Sequence, residues 1–384
     1  MTPQHPNIEP ALKALADALH GEGPAVELSA GPGGNVVVSA VDTPGFEGAA
    51  VVVRTSGSTG TPKATVLTVD ALAASSMATA FALQGEGQWL LALPVQYVAG
   101  VQVLVRSLFA GTRPWAMDLS GGFTPEAFTE AALEMTGKIR FTSLVPTQLQ
   151  RLLDSPAAGT LAVLRRFNGI LLGGGPASPE LLSAARNAGV RVVTTYGSAE
   201  TCGGCVYDGV PLEDVLVRVD ADGRILLGGA TIAAGYLAAP DLTAEAFVED
   251  DGVRWYRTND LGELADDGTL TVRGRADDVV ITGGVKVSAA QVQAELEKLD
   301  GVRAAFVAGV PSAEWGQALA AYVAVADGSP EGIRGFITSA VWAPALGPLA
   351  PKTVLAAGEL LMLPNGKPDR LAMTVRLTEL HQGK

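Results

Sequence analysis

The sequence predicts an α/β protein: a large N-terminal domain with mainly parallel sheets, helices and a β-rich subdomain, then a small α+β C-terminal domain. Three observations carry this expectation. Between residue 49 and about residue 196, short apolar runs of strand length alternate with helical stretches, the pattern of a buried, mainly parallel sheet with helices on both faces. From 206 to 274 the rhythm changes to short strands separated by tight turns, and from Arg275 strands and helices mix again. At 384 residues the chain is long for one domain. It divides into 1–275 and 276–384, with the β-rich piece at about 206–274.

Taken in order, residues 1–48 predict a helix over 8–19 and short apolar pieces around Val26 and over 36–41. The run 49–53 reads as a strand, and a helical pattern occupies 71–83. Strands follow at 88–94, 141–144, 169–172 and 191–196, with helices between them. The helix at 179–188 is well marked, since Ser178 can cap it and Pro179 suits its first turn. DADG (220–223) and DDG (266–268) each join two apolar runs and predict hairpins. A further helix has Ser288 as its cap and Gln291 three residues on. Strands near 302–310, 319–325 and 353–355 and a helix near 333–343 complete the second domain.

Composition excludes several classes of function. No apolar run is long enough to span a bilayer, and the polar start MTPQHPNIEP lacks the regions of a signal peptide; the expectation is a cytoplasmic protein without a membrane span. A net charge of −13 argues against a nucleic-acid partner. It also means that a polyanionic substrate must be drawn in by local groups. Cys202 and Cys205 form a lone C-x-x-C, and the three histidines (His5, His20, His381) lie near the termini. With no further thiol or histidine nearby to complete a metal site, two small residues lining a turn is the better account than a redox pair or half a zinc site. The same scarcity of histidine removes Ser-His-Asp and Cys-His chemistry.

The stretch TSGSTGTPK (55–63) organises the chemistry. Its nine positions hold five hydroxyl side chains, two glycines, a proline and a lysine. Glycines let backbone N–H groups approach an anion, the hydroxyls can donate to phosphate oxygens or hold a metal, and Lys63 adds a point charge. The apolar run before it and the helical pattern after it place it at a strand's carboxyl end. It is not a Walker A loop, which needs Gly-Lys-Ser/Thr in succession. A flexible linker would need neither Thr-Pro-Lys nor a flanking buried strand. TSGSTGTPK resembles the signature loop of the adenylate-forming enzymes, the superfamily of acyl-CoA synthetases, luciferases and peptide-synthetase adenylation domains.

Five further motifs follow in the order of that family. GGGP (173–176) resembles the loop that lies against adenine and ribose, which implicates Gly174, Gly175 and Pro176. YGSAET (196–201) resembles Tyr-Gly-x-Thr-Glu, with Ala199 in place of threonine. The resemblance implies that Tyr196 and Gly197 meet the adenine and that Glu200 ligates Mg²⁺ together with Thr55. YRTNDLGEL (256–264) resembles Tyr-x-Thr-Gly-Asp, whose aspartate takes the ribose hydroxyls. Asp260 fits, while Asn259 replaces glycine at a turn that Asn tolerates. GRADDVVITGG (274–284) resembles the segment joining the family's domains, with Arg275 toward ribose or phosphate and Asp277 at the hinge; a salt-bridged surface turn is the alternative. LPNGKPDR (363–370) resembles the terminal loop whose lysine, here Lys367, enters the active site during adenylation. From the first loop, Thr55, Ser56, Gly57, Ser58, Thr59, Gly60 and Lys63 are expected to hold ATP or AMP.

The resemblance implies an AMP-forming acid–thiol ligase, with ATP and CoA as co-substrates, Mg²⁺ as cofactor and a mobile C-terminal lid. Thr55, Glu200 and Lys367 are its expected catalytic residues. Gly284 and Lys286 are candidates for CoA contact. LPVQYVAG (93–100) and SLVPTQLQRLL (143–153) resemble the corresponding segments of the o-succinylbenzoate–CoA ligases of menaquinone synthesis, with Tyr97 where many relatives have histidine. That directs attention to Tyr97, Thr142, Ser143, Gly203 and Gly204 for the acid, Thr142 and Ser143 as donors to its unreacted carboxylate. The alternatives are another aryl- or acyl-CoA ligase, an adenylating enzyme that loads a carrier protein, and a non-catalytic nucleotide-binding module. A sensor needs neither Glu200 nor Lys367, which disfavours the last. A homodimer is left open.

Overall fold

The computed structural model describes residues 7–31, 35–56, 62–155, 157, 159–363 and 368–383. The chain divides into two compact units. The first comprises 1–218, 226–258 and 264–270; the second comprises 219–225, 259–263 and 271–384. The last change of unit therefore falls just before Thr271, and two short earlier pieces go with the second unit. Among the described residues no helix is long and apolar enough to cross a membrane.

The first unit contains two sheets. In the smaller, Gly235–Tyr236, Pro62–Thr68, Ala49–Ser56, Ala25–Ala30 and Val36–Val41 lie side by side in that order. Pairing is antiparallel except between Ala25–Ala30 and Ala49–Ser56. Val51, Val52, Val66 and Leu67 are fully buried in it. This sheet departs from the mainly parallel expectation because two pairs of strands adjacent in sequence lie side by side over short connections, which only antiparallel pairing allows.

The larger sheet has seven strands and meets the expectation. Its order is Val210–Pro211, Gly203–Tyr207, Val192–Ser198, Gly169–Leu172, Arg140–Leu144, Gln88–Leu91, Trp115–Ala116. The five from Val192–Ser198 onward are parallel, and the two at the other end are antiparallel. Side chains alternate across such strands. Leu90, Leu144, Ile170 and Leu172 join Phe128, Leu149 and Leu181 from the helices Pro125–Glu134, Pro146–Leu153 and Pro179–Asn187 in one core. Trp89 and Phe141 point the other way with ring centroids 5.1 Å apart, and Arg106 of the helix Val98–Phe109 lies over Trp89. Helices therefore cover both faces. Ser178 caps its helix as its sequence position requires, accepting from Leu181 N at 3.1 Å.

The β-rich segment runs in the order Val215–Val219, Arg224–Gly229, Val253–Leu264, Phe247–Asp250, with Leu270–Arg275 also on Val253–Leu264. Both expected hairpins form. Asp220 Oδ1 accepts from the N–H groups of Asp222 and Arg224, and Asp267 Oδ1 from that of Thr269. Asn259 occupies extended backbone within the strand Val253–Leu264 and is not among the residues with positive φ. No left-handed turn stands there: a long strand of alternating burial has absorbed the position.

The second unit is an α+β layer. Its sheet has the order Val285–Ser288, Val279–Thr282, Gly316–Val325, Val302–Ser312, with Thr353–Ala357 parallel to Gly316–Val325. Val307, Leu319 and Val323 face the helix Ala289–Glu297, while Phe306, Ala320 and Tyr322 face Met373 and Leu377. The latter two belong to a terminal helix, Arg370–Gln382, that the hydrophobic pattern does not announce. Ser288 caps the first of these helices through Gln291 N at 3.3 Å.

Candidate active site

In the first unit, parallel strands bring the candidate residues to their carboxyl ends, where such folds collect ligands. Gly173 follows the strand Gly169–Leu172, and a Cβ there would stand 2.4 Å from Thr195 Oγ1 of the next strand. Glycine there leaves room for the Thr195 hydroxyl, which donates to Leu172 O at 3.3 Å. Gly174, with φ +81°, Gly175 and Pro176 then lie exposed beyond the strand.

The strand Val192–Ser198 carries Tyr196 and Gly197 and ends in a 3-10 turn, Ala199–Thr201. Ser198 Oγ accepts from Glu200 N at 3.2 Å, and Thr201 Oγ1 accepts from Ser198 N at 2.9 Å. Cys202 then turns into the left-handed region at φ +52°. Its carbonyl receives two buried donors, Ser75 Oγ at 3.1 Å and Gln102 Nε2 at 2.5 Å. Cys202 and Cys205 are unbridged and fully buried, and burial pushes both thiols up, Cys205 to about 12.

The turn buries Glu200, which is 6% exposed. Its Oε1 accepts from the Tyr236 hydroxyl at 2.9 Å, and its backbone carbonyl accepts from Ala233 N at 2.9 Å. The Lys63 ammonium lies 4.9 Å from the centroid of the same Tyr236 ring. Burial, then the negative charge of Glu200 and the neighbouring Tyr256 hydroxyl, push the Tyr236 phenol far above its ordinary value. Tyr236 therefore stays protonated and donates.

Thr55 and Lys63 face each other across the antiparallel pair of Ala49–Ser56 and Pro62–Thr68. The phosphate loop is thus the tip of a hairpin. It leaves the carboxyl end of the strand Ala49–Ser56, where the sequence places it, and the seven-residue strand Pro62–Thr68 comes before the helix Val69–Ala82. Gly57, Ser58, Thr59, Gly60 and the side chain of Ser56 lie outside the described residues. The donors fit Mg²⁺, which takes oxygen ligands and keeps few protein contacts when phosphate is present: Glu200 is a buried carboxylate oriented by one hydrogen bond, and Thr55 offers a half-buried hydroxyl on the loop's first strand. Among the described residues no cluster of three His, Cys, Asp or Glu side chains could hold a metal by itself.

Of the acid-site candidates, Tyr97 is half-buried immediately before the helix Val98–Phe109, and Gly203 and Gly204 open the strand after the Glu200 turn. Gly203 has φ +97°, and its Cβ position lies 3.5 Å from Gln102 Cγ. Ser143 is buried at the end of its strand. Thr142 needs correction as a carboxylate donor. It is fully buried, and its hydroxyl donates to Leu90 O at 2.9 Å inside the sheet, so its proton is committed. Sequence reasoning missed Tyr236, Gln102 and Ser75, whose partners are 36, 100 and 127 residues away.

In the second unit, Arg275 forms a two-pronged pair with Asp277, both bonds 2.8 Å, and stands 3.7 Å from Asp260. This segment thus carries a salt-bridged turn, as one of the two readings of the sequence requires. Asp277 lies in the 3-10 turn Ala276–Asp278, and Arg370 bonds Asp278 while lying over the Phe306 ring. Gly283 and Gly284 form the turn between Val279–Thr282 and Val285–Ser288, both with positive φ, and Lys286 is exposed beside it. Lys367 lies outside the described residues. The segment containing it is flanked by a Met362–Pro368 bridge, by Asp369 N donating to Leu361 O at 2.7 Å, and by Asp369 Oδ1 capping Ala372 N.

Comparison with known proteins agrees with this layout. The family model described as AMP-binding enzyme matches residues 11–237. A probable 2-succinylbenzoate–CoA ligase of Mycobacterium tuberculosis is 43% identical over 335 residues, covering 85% of this chain and 84% of that protein. A 2-succinylbenzoate–CoA ligase of Enterococcus faecalis is 31% identical over 303 residues, and the match spans 60% of its length. Among solved structures, the o-succinylbenzoate CoA synthetase of Bacillus subtilis in complex with its acyl-adenylate intermediate aligns with a TM-score of 0.69 at 25% identity, over 84% of this chain and 68% of that one. The amide bond synthetase of Marinactinospora thermotolerans aligns at 0.73 and 27% identity, over 88% and 71%. With the phosphate loop, the Glu200 turn and the glycine-rich loop all inside the matched region, this chain belongs to the AMP-binding enzyme family, the adenylate-forming enzymes.

Proposed function

We propose that the chain is an ATP-dependent acid–CoA ligase whose acid is o-succinylbenzoate, activated on its succinyl carboxylate and released as the CoA thioester. The observation that carries the reading is Glu200: a buried carboxylate at the carboxyl end of a parallel sheet, oriented by a tyrosine that also receives the phosphate-loop lysine. The 43% identity to a probable 2-succinylbenzoate–CoA ligase, over 85% of this chain, supports the choice of acid.

In the first half-reaction the substrate carboxylate attacks the α-phosphorus of ATP, forming an acyl-adenylate and expelling pyrophosphate. Negative charge builds on the phosphoryl oxygens, so the need is positioning and cationic stabilisation rather than a strong base. Glu200 and Thr55 would hold Mg²⁺, which supplies positive charge beside the phosphates. Lys63 and Lys367 bring ammonium groups, and Gly174 to Pro176 leave an exposed backbone shelf without bulky side chains for the base. In the second half-reaction the CoA thiol attacks the acyl carbon and AMP leaves. The second unit, 271–384 in the main, carries Lys367 for the first step and Gly284 and Lys286 for the second, and a rotation at Asp277 would exchange them. Tyr97 would wall the aromatic ring. With Thr142 committed to the sheet, Ser143 is the remaining candidate donor to the free carboxylate, which is costly to bury unpaired.

The test is pyrophosphate release and thioester formation over a panel of acids. The expected result is a kcat/KM for o-succinylbenzoate well above those for benzoate and a medium-chain fatty acid. If either competitor matches it, the ligase reading stands and the o-succinylbenzoate assignment falls. If no acid elicits pyrophosphate release, the ligase reading falls as well.

A further inference from the structure

We propose that Tyr236 is the positioning residue that couples the metal-binding carboxylate to the phosphate-loop lysine: its hydroxyl orients Glu200 and its ring seats Lys63. The inference rests on the ligase reading of the site and goes beyond it by giving one side chain outside the recognised motifs two separable tasks.

The geometry assigns each task to a different part of the side chain. The phenol O–H donates to Glu200 Oε1 at 2.9 Å. Glu200 is buried, and a buried carboxylate without a donor is costly. The bond engages Oε1 and so restrains the carboxylate, leaving Oε2 as the oxygen to offer a cation. A group that orients a metal ligand in this way commonly matters 10- to 100-fold for metal affinity. Lys63 uses the ring instead, with its ammonium 4.9 Å from the centroid, inside the range of a cation–π contact. That contact holds the base of the phosphate loop, since Lys63 pairs across the hairpin with Thr55.

Tyr236 is built to be rigid. It is 2% exposed and pairs in register with Thr65, two residues after Lys63. Its N–H donates to Thr243 Oγ1 at 2.9 Å, and its ring meets Phe247 edge-on at 5.3 Å. Gly235 precedes it because a Cβ there would stand 2.6 Å from Thr243 Cγ2. The Glu200 turn is itself tied to the same strip of chain through Ala233 N. A tyrosine needed only for packing would not require its oxygen placed on a carboxylate.

Two substitutions separate the tasks. Tyr236→Phe keeps the ring and removes the hydroxyl; Tyr236→Leu removes both. The readouts are Mn²⁺ binding to the enzyme–ATP complex by electron paramagnetic resonance and ATP binding without metal by calorimetry. Tyr236→Phe is expected to weaken Mn²⁺ binding about 10- to 100-fold and to leave metal-free ATP affinity unchanged. Tyr236→Leu is expected to lower both. Wild-type Mn²⁺ affinity in Tyr236→Phe would overturn the inference, as would equal losses of metal and metal-free nucleotide binding in that variant. If Tyr236→Leu does not fold, the two measurements on Tyr236→Phe decide the matter alone. Neither readout uses an acid, so a wild-type chain that ignores o-succinylbenzoate leaves this result standing. A wild-type chain that binds neither ATP nor Mn²⁺ would overturn both readings.

Discussion

Gly197→Ala is the substitution with the sharpest structural prediction. Gly197 is paired with Gly204 across the antiparallel edge of the large sheet and has φ +157°, a conformation L side chains rarely adopt. A Cβ there would stand 2.1 Å from Gly203 O and 2.8 Å from Gly204 Cα. Both are backbone atoms, so no rotamer relieves the clash, and the strands must part by roughly 1 Å to restore contact distance. Backbone strain of about 1–3 kcal/mol adds to overpacking of about 1–3 kcal/mol, giving a loss of roughly 2–6 kcal/mol. In a domain of this size each kcal/mol lowers the melting temperature by about 2–4 °C. Gly203→Ala is the control. It also has positive φ, but its Cβ meets only Gln102 Cγ at 3.5 Å, so it should show the strain without the clash. Glu200 lies three residues beyond Gly197, so adenylation, followed by pyrophosphate release, should fall in Gly197→Ala, while Gly203→Ala serves as control for the melting temperature alone. A Gly197→Ala protein that melts and adenylates like wild type would refute the reasoning.

Lys367→Ala should cut adenylate formation by orders of magnitude and largely spare thioester formation from synthetic acyl-adenylate and CoA; equal loss in both halves would remove Lys367 from the first step. Asp277→Ala breaks the two-pronged bond to Arg275, and since both side chains are more than a third exposed, solvent screening limits the cost to about 0.5–1 kcal/mol at pH 7. Although burial alone would raise it, the Asp277 carboxyl is held below the ordinary carboxylate value by its bond to Arg275, with Arg370 adding a smaller pull. Its contribution is therefore present above about pH 4 and lost as pH falls through the lowered value. Urea melts of wild type and variant should converge on acidification; a gap that widens instead would contradict the sign.

Much of the fold was legible because its signals are local. Ser178 and Ser288 cap helices whose partners are three residues away, and Asp220 closes a hairpin with its own neighbours. The parallel strands declared themselves as short apolar runs of the kind that buried sheets require. What escaped depends on register between distant segments. PKATVLT overlaps the loop and precedes the helical pattern with no strand expected of it, yet pairing with Ala49–Ser56 makes it one. Asn259 looked like a turn residue and is extended, since strand pairing outweighs one residue's preference. The terminal helix Arg370–Gln382 carries exposed Leu371 and Val375 beside buried Met373 and Leu377, which blurs its periodicity. In the site, Glu200, Gly174 and Gly197 were recognisable from their motifs. Tyr236 was not: nothing in AAGYLAAP indicates that its oxygen meets a carboxylate 36 residues earlier.

The sealed sulfurs near Glu200 bear on chemoselectivity. An acyl-adenylate is a mixed anhydride and acylates any thiolate it meets. Cys202 and Cys205 stand two and five residues past Glu200, yet each is fully buried and held protonated. An incoming thiol therefore meets no competing thiolate from these two cysteines. The same property leaves the described surface free of reactive sulfur, so a single engineered cysteine would take a fluorescent label cleanly.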